Sequence, residues 1–303
     1  MSSPSLEQGL SNQIADLRPT PSQLMWRRAR NHRGLAIGSL IVFIVLLCGL
    51  AAPFIAPHDP YAQDLTKRLL PAVWSENGTW EHVFGTDALG RDYLSRILYG
   101  ARISFLIGIS AALGSCLIGA ALGLLAGYYG GRVDSVVTFF VSVRLALPVV
   151  LVALATVSLF GGKLWIVVAV LSLLLWDRFA VVVRSATMQL RSQEFVVAAR
   201  AMGCSTPRIL LGELLPNLVG PLVVVGSLEI AHAILLESAL SFLGLGVQPP
   251  TPSWGLMVAE GKGMIFFDSR LIALPGAAIA LLVLGINLVG DGVRDVLAPE
   301  GKA

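Results

Sequence analysis

"EFVVAARAMGCSTPRILLGELLPN", residues 194–217, is the stretch whose reading decides the fold. Ala199, Gly203 and Ile209 stand at the spacing Ala-x3-Gly-x5-Ile, which predicts two helices joined by a tight turn. Glu194 to Met202 suits a short helix carrying Val196, Val197, Ala198 and Ala199. Gly203 can adopt the left-handed conformation that ends such a helix. Ser205 or Thr206 can cap the next one, with Pro207 in its first turn, where a missing N–H costs nothing. Pro216 is expected to break the pattern before the following apolar run.

This turn does not read DNA. A recognition helix needs polar side chains for base edges and basic ones for phosphates. After Arg208 the second helix runs Ile-Leu-Leu-Gly-Glu-Leu-Leu-Pro, apolar and closed by the acid Glu213. The unit is also tethered at both ends to long apolar runs. Small alanines and a fixed turn suit docking into a groove on a partner protein instead.

Working outward, the 303 residues are 55% hydrophobic and 14% charged, with a mean hydropathy of +0.76. An average soluble domain is about a quarter charged. The apolar residues are bunched into runs long enough to cross a bilayer, so the chain is expected to be an all-α integral membrane protein. Six spans are expected, at 35–56, 104–127, 134–160, 163–186, 218–246 and 271–293. A net charge of +3 does not imply a nucleic-acid partner. Cys48, Cys116 and Cys204 lie in apolar runs or in the opening stretch, which predicts no disulfide. The polar lead of about 33 residues and the first apolar run of about 22 exceed a secretory signal, whose apolar region is roughly 7–15 residues.

Arg27, Arg28, Arg30 and Arg33 precede the first span and hold the N-terminus in the cytoplasm. Six spans return the C-terminus there and put the opening stretch on the same side. Within the second span, Ser115, Gly119, Gly123 and Gly127 line one helix face, where small residues admit a close neighbour. That neighbour is either another part of this chain or a second subunit.

Chemistry is sparse. No catalytic triad is apparent among four histidines. The Gly-Lys pairs at 162–163, 261–262 and 301–302 all lack the rest of a phosphate-cradling loop. Glu229, His232 and Glu237 form one ionisable cluster inside a span, where such groups usually face a polar path or a partner. They are candidates for the translocation path or for structural pairing. A metal role would need a second Glu-x-x-His copy and further carboxylates, so no metal ligation is expected there. Asp87, Arg91, Asp92 and Arg96 stand at helical spacing and are expected to form either an external helix laced by its own ion pairs or a surface that contacts a partner protein or shapes an outer gate.

The opening stretch resembles the "EAA" loop of binding-protein-dependent ABC transporter permeases, through Ala198, Ala199, Gly203, Leu215, Pro216 and Asn217. "FGTDALGRDYLSRILYGARIS" (84–104), "LSFLGLGVQPPTPSWG" (240–255) and "NLVGDGVRDVLAP" (287–299) resemble the second, C-type permease subunit of the dipeptide/oligopeptide/nickel subfamily. The resemblance implies a MetI-like type I importer fold in the bacterial inner membrane. It also implies a homologous second permease, two ABC ATPase subunits and a periplasmic or lipid-anchored solute-binding protein. ATP and Mg2+ would be bound by the ATPases, with no cofactor in this chain. The coupling loop would span 190–217, with Glu194, Ala198, Ala199, Gly203, Ser205, Pro207, Glu213, Pro216 and Asn217 as its docking and turn residues. Glu213 departs from the family's usual histidine. Phe139, Ser142 and Val181 stand where the family commonly has charged residues, with Arg144, Asp177 and Arg178 nearby. The implied organisation is a cytoplasmic tail (1–34), a first span (35–56), a periplasmic segment (57–103), a five-helix core (104–293) and a cytoplasmic tail (294–303). Cargoes within the subfamily include dipeptides, oligopeptides, glutathione and nickel. The competing class is a secondary transporter or channel, which often shows inverted repeats; no repeat relates the two halves.

Overall fold

The computed structural model describes residues 21–297, with side chains from Met25 onward. A short helix, α1 (Pro21–Asn31), leads into α2 (Arg33–Ile55), the first span. His32 caps α2, its Nδ1 accepting from Leu35 N at 3.0 Å. Small Gly38, Gly49 and Ala52 face inward, while Leu40, Phe43, Leu47 and Leu50 lie exposed on the other side, as a helix bathed in lipid requires. The long helix α3 (Tyr93–Tyr129) follows the segment 56–92, which carries two short 3-10 turns. Its 37 residues correspond to about 55 Å, well beyond a hydrocarbon core of about 30 Å. The helix therefore starts well before the apolar run at 104, because Asp92 caps it by accepting from Ser95 N.

The expected third span, 134–160, is not one straight helix. α4 (Gly131–Ala146) and α5 (Val149–Phe160) meet at an angle of 87°. Pro148 causes the break. It has no N–H to continue the ladder, and it drives the preceding Leu147 into extended backbone (φ −91°, ψ 127°). α6 (Leu164–Leu174) and α7 (Trp176–Leu190) together make one span. After the short α8 (Glu194–Ala201) comes α9 (Thr206–Phe242), then α10 (Trp254–Gly261) and α11 (Arg270–Leu297). Among the described residues five helices are long and apolar enough to cross a membrane, and the bent pair makes a sixth span if counted as one. Among the described residues the only β feature is an isolated bridge between Thr86 and Asp92.

The small-residue stripe packs within the chain. A Cβ on Gly119 would meet Trp176 O at 2.3 Å, one on Gly123 Ala180 O at 2.6 Å, and one on Gly127 Arg184 O at 2.7 Å. Ser115 Oγ extends the seam onto α6 by donating to Ser172 O at 3.2 Å. The stripe therefore seats α7 against α3 at backbone distance. Gly123→Val is expected to force these helices apart at a cost of about 1–3 kcal/mol. The check is thermal unfolding of the detergent-solubilised protein, where an unchanged midpoint would count against this seam.

One end of the bundle gathers both described chain ends and the 194–217 loop. His32 Nε2 lies 3.0 Å from Asp295 Oδ2, and Arg191 Nη1 donates to Gly127 O at 2.9 Å. Gly220 faces Leu297.

Candidate functional site

The loop 194–217 is anchored on one face and exposed on the other. α8 turns Val196 and Ala199 into an apolar cluster with Leu124, Val183, Ile209, Leu210, Leu214 and Leu218. Phe195, Val197, Met202 and Leu211 stay exposed beside Ala198. So the two motif alanines divide, Ala199 holding the loop down and Ala198 facing out. Gly203 has φ +78°, and no heavy atom lies within 4 Å of where its Cβ would be. Its place in the sequence is thus fixed by backbone conformation and not by crowding. Glu194 starts α8 and Ser205 occupies the N-cap of the next helix, although its side chain makes no capping bond; Pro207 stands in the first turn.

Pro216 does not break the helix. The turn Ile209–Leu214 widens to π-helical geometry just before it. Leu215 N bonds to Leu210 O, five residues back, so the wider turn absorbs a proline that an α-helix would reject. Asn217 Nδ2 donates to Glu213 O at 2.7 Å, using a carbonyl at the irregular turn. The result is a continuous rod from Thr206 to Phe242, which joins the 194–217 loop directly to the apolar interior of the bundle.

Further along α9, the three candidate path residues separate into two sites. Glu229 is fully buried and accepts from Arg178 Nη1 of α7 at 2.9 Å. His232 Nδ1 lies 3.5 Å from its other oxygen. The Arg178 side chain is 56% exposed and that of His232 31%, so this trio opens onto a face of the bundle. Glu237 lies apart. It is buried and accepts from Ser241 Oγ at 2.8 Å and Ser253 Oγ at 3.0 Å, at the point where Ser253 caps α10. Its partners fit a structural bracket between α9 and α10. Two further ion pairs lie in the helices around this site. Arg144 Nε sits 3.1 Å from Asp177 Oδ1, and Arg184 Nη2 donates to Asp134 Oδ2 at 2.7 Å.

At the opposite end, the charged set 87–96 corrects its sequence reading. It is not an exposed helix. Asp87, Arg91, Asp92 and Arg96 are all buried, and the helix begins only after Asp92. Arg91 Nε donates to Asp87 Oδ2 at 2.6 Å; Arg91 and Arg96 both reach Glu260 Oε2 of α10, at 3.0 and 2.7 Å. Trp254 Nε1 donates to Ile97 O at 2.9 Å while its ring abuts Gly100, and Arg270 bonds to the carbonyls of Leu70, Phe84 and Thr86. The motifs at 84–104 and 240–255 therefore meet in space. Glu260 and Arg270 complete the cluster and carry no local signal in the sequence, since their partners are distant along the chain.

With this geometry in place, residues 119–301 match the family of binding-protein-dependent transport system inner membrane components. The chain belongs to that family. Residues 20–72 of this permease match the N-terminal TM domain of oligopeptide transport permease C. It is 39% identical over 286 residues to the dipeptide transport system permease protein DppC of Haemophilus influenzae, covering 93% of this chain and 96% of that one. It is 40% identical over 284 residues to the di/tripeptide transport system permease protein DppC of Pseudomonas aeruginosa, covering 94% of each. The fold is that of a chain of the inward-facing MetNI methionine ABC transporter, with a TM-score of 0.55 at 18% identity over 66% of this permease and 96% of that chain.

Proposed function

We propose that this permease forms, with a homologous second permease, the pore of an ATP-driven importer of di- or oligopeptides in the bacterial inner membrane. Two ATPase chains sit below the permease pair and bind the ATP and Mg2+, one of them docking on the cytoplasmic loop 190–217. A periplasmic or lipid-anchored solute-binding protein delivers cargo at the opposite face, and both chain termini lie in the cytoplasm. The observation that carries the reading is the continuity of α9. One rod joins the exposed apolar loop to the Arg178–Glu229–His232 trio. Closure of the ATPases pushes the loop, the rod moves with it, and the α7–α9 contact at Arg178 and Glu229 opens or closes.

The peptide assignment rests on the names of the relatives and on the trio's chemistry. A guanidinium suits a peptide's carboxylate, and a carboxylate beside an imidazole suits its ammonium. The test is uptake by cells lacking the gene, offered dipeptides, longer peptides and nickel. Loss of dipeptide or short-peptide uptake, restored by the intact gene, is expected. Selective loss of nickel uptake would contradict the peptide reading.

A further inference from the structure

His58, His82 and Asp92 converge from three separate parts of the external segment. His58 lies just beyond the end of α2, His82 closes the short turn Trp80–His82, and Asp92 caps α3. One ligand atom from each lies within 4.8 Å of the others. His82 Nδ1 is 2.9 Å and His58 Nδ1 3.6 Å from the same oxygen, Asp92 Oδ1. The two imidazoles face each other with centroids 4.6 Å apart.

We propose that these three residues bind a divalent cation of the Zn2+ type. Two imidazoles and a carboxylate are a borderline donor set that suits zinc. Ligands held about 2.0–2.1 Å from one tetrahedral ion lie about 3.3 Å from each other, and the two measured separations from Asp92 Oδ1 straddle that value. Hydrogen bonding alone does not account for the cluster. His58 Nδ1 is a buried atom with no hydrogen-bond partner, although it points at a carboxylate. An ion between them satisfies it.

The surroundings hold the donors in place. Asp92 Oδ2 accepts from both Ser95 N, at 2.8 Å, and Ser95 Oγ, at 2.7 Å, which leaves Oδ1 for the histidines. Ser95 Oγ also accepts from His58 N at 3.1 Å. One serine thus fixes the carboxylate and one histidine's backbone together, the kind of support that orients metal ligands. Asp92 and His82 are buried, while the His58 side chain is 36% exposed and borders a surface cleft with Pro57, Asp59, Tyr61 and Tyr99. That cleft gives an ion its entry and leaves a fourth position for water. A bound ion ties the end of the first span to the start of α3.

The test uses the full chain purified in its membrane complex, stripped with a chelator, and then given Zn2+ or Co2+ alone. The expected result is one Zn2+ per chain above the content of His58→Ala. Co2+ should give the visible bands of a four-coordinate site, and these should be absent in His58→Ala. Ser95→Ala should bind about 10–100-fold more weakly. His58 is partly exposed, so His58→Ala should melt like the parent protein in chelator, and Zn2+ should raise the melting temperature of the parent alone. Equal Zn2+ content and equal Co2+ spectra in parent and His58→Ala would overturn the proposal. So would a melting temperature that Zn2+ shifts equally in both.

Discussion

Arg96→Leu is expected to be the most destabilising single change in the half of the permease opposite the 194–217 loop. Arg96 is fully buried, yet it carries a guanidinium 2.7 Å from Glu260 Oε2 and 3.4 Å from Asp87 Oδ2. Leucine fills similar space but leaves two carboxylates to share Arg91 alone. Removing one partner from a buried ionic group costs about 3–5 kcal/mol, because the remaining charge keeps its desolvation penalty. The loss should spread, since Glu260 sits on α10 and α10 braces Ile97 and Gly100 through Trp254. Arg96→Lys should lose less, because it keeps the charge but cannot fork between two acids. Thermal unfolding and folded yield in detergent measure both. A leucine variant as stable as the parent would mean that the cluster is not a structural bracket.

The second large effect is expected at Gly203. Its φ of +78° is a backbone conformation that a β-branched side chain adopts only with strain. Nothing crowds the site, so Gly203→Val changes the turn rather than the packing. The turn lies between exposed α8 and the start of α9, and a shift there moves Ala198, Val197 and Met202 relative to the rod. Strain of about 1–3 kcal/mol is small against the stability of a multi-span bundle. It is large against the fixed geometry that transmission of a push requires. The variant should therefore assemble normally but transport poorly.

Much of this fold is legible in apolar runs, because a bilayer demands length and hydropathy together. The turn at Gly203 is legible for a different reason, since few other residues accept its φ. Pro148 was visible too, but the apolar residues on both sides of it made 134–160 read as one span. The start of α3 was hidden because Ser95, Arg96 and Arg102 are polar residues inside a helix. The site divides in the same way. Glu229 and His232 are readable as neighbours on one face. Arg178 is not readable as their partner, because a helix–helix contact pairs residues 51 positions apart. The same holds for Glu260, which meets Arg96 across 164 positions. Arg91 is buried against the same distant Glu260, and Asp92 is covered by His82 from the folded segment before the helix, so helical spacing alone suggests an exposed ladder.

The most direct test of the loop as a lever is the ratio of peptide imported to ATP hydrolysed. It should be measured in proteoliposomes holding the whole transporter, with and without Gly203→Val. The predicted result is continued hydrolysis with uptake reduced at least about tenfold, the factor that about 1.4 kcal/mol of lost coupling produces. An unchanged ratio in a correctly assembled Gly203→Val transporter would contradict it.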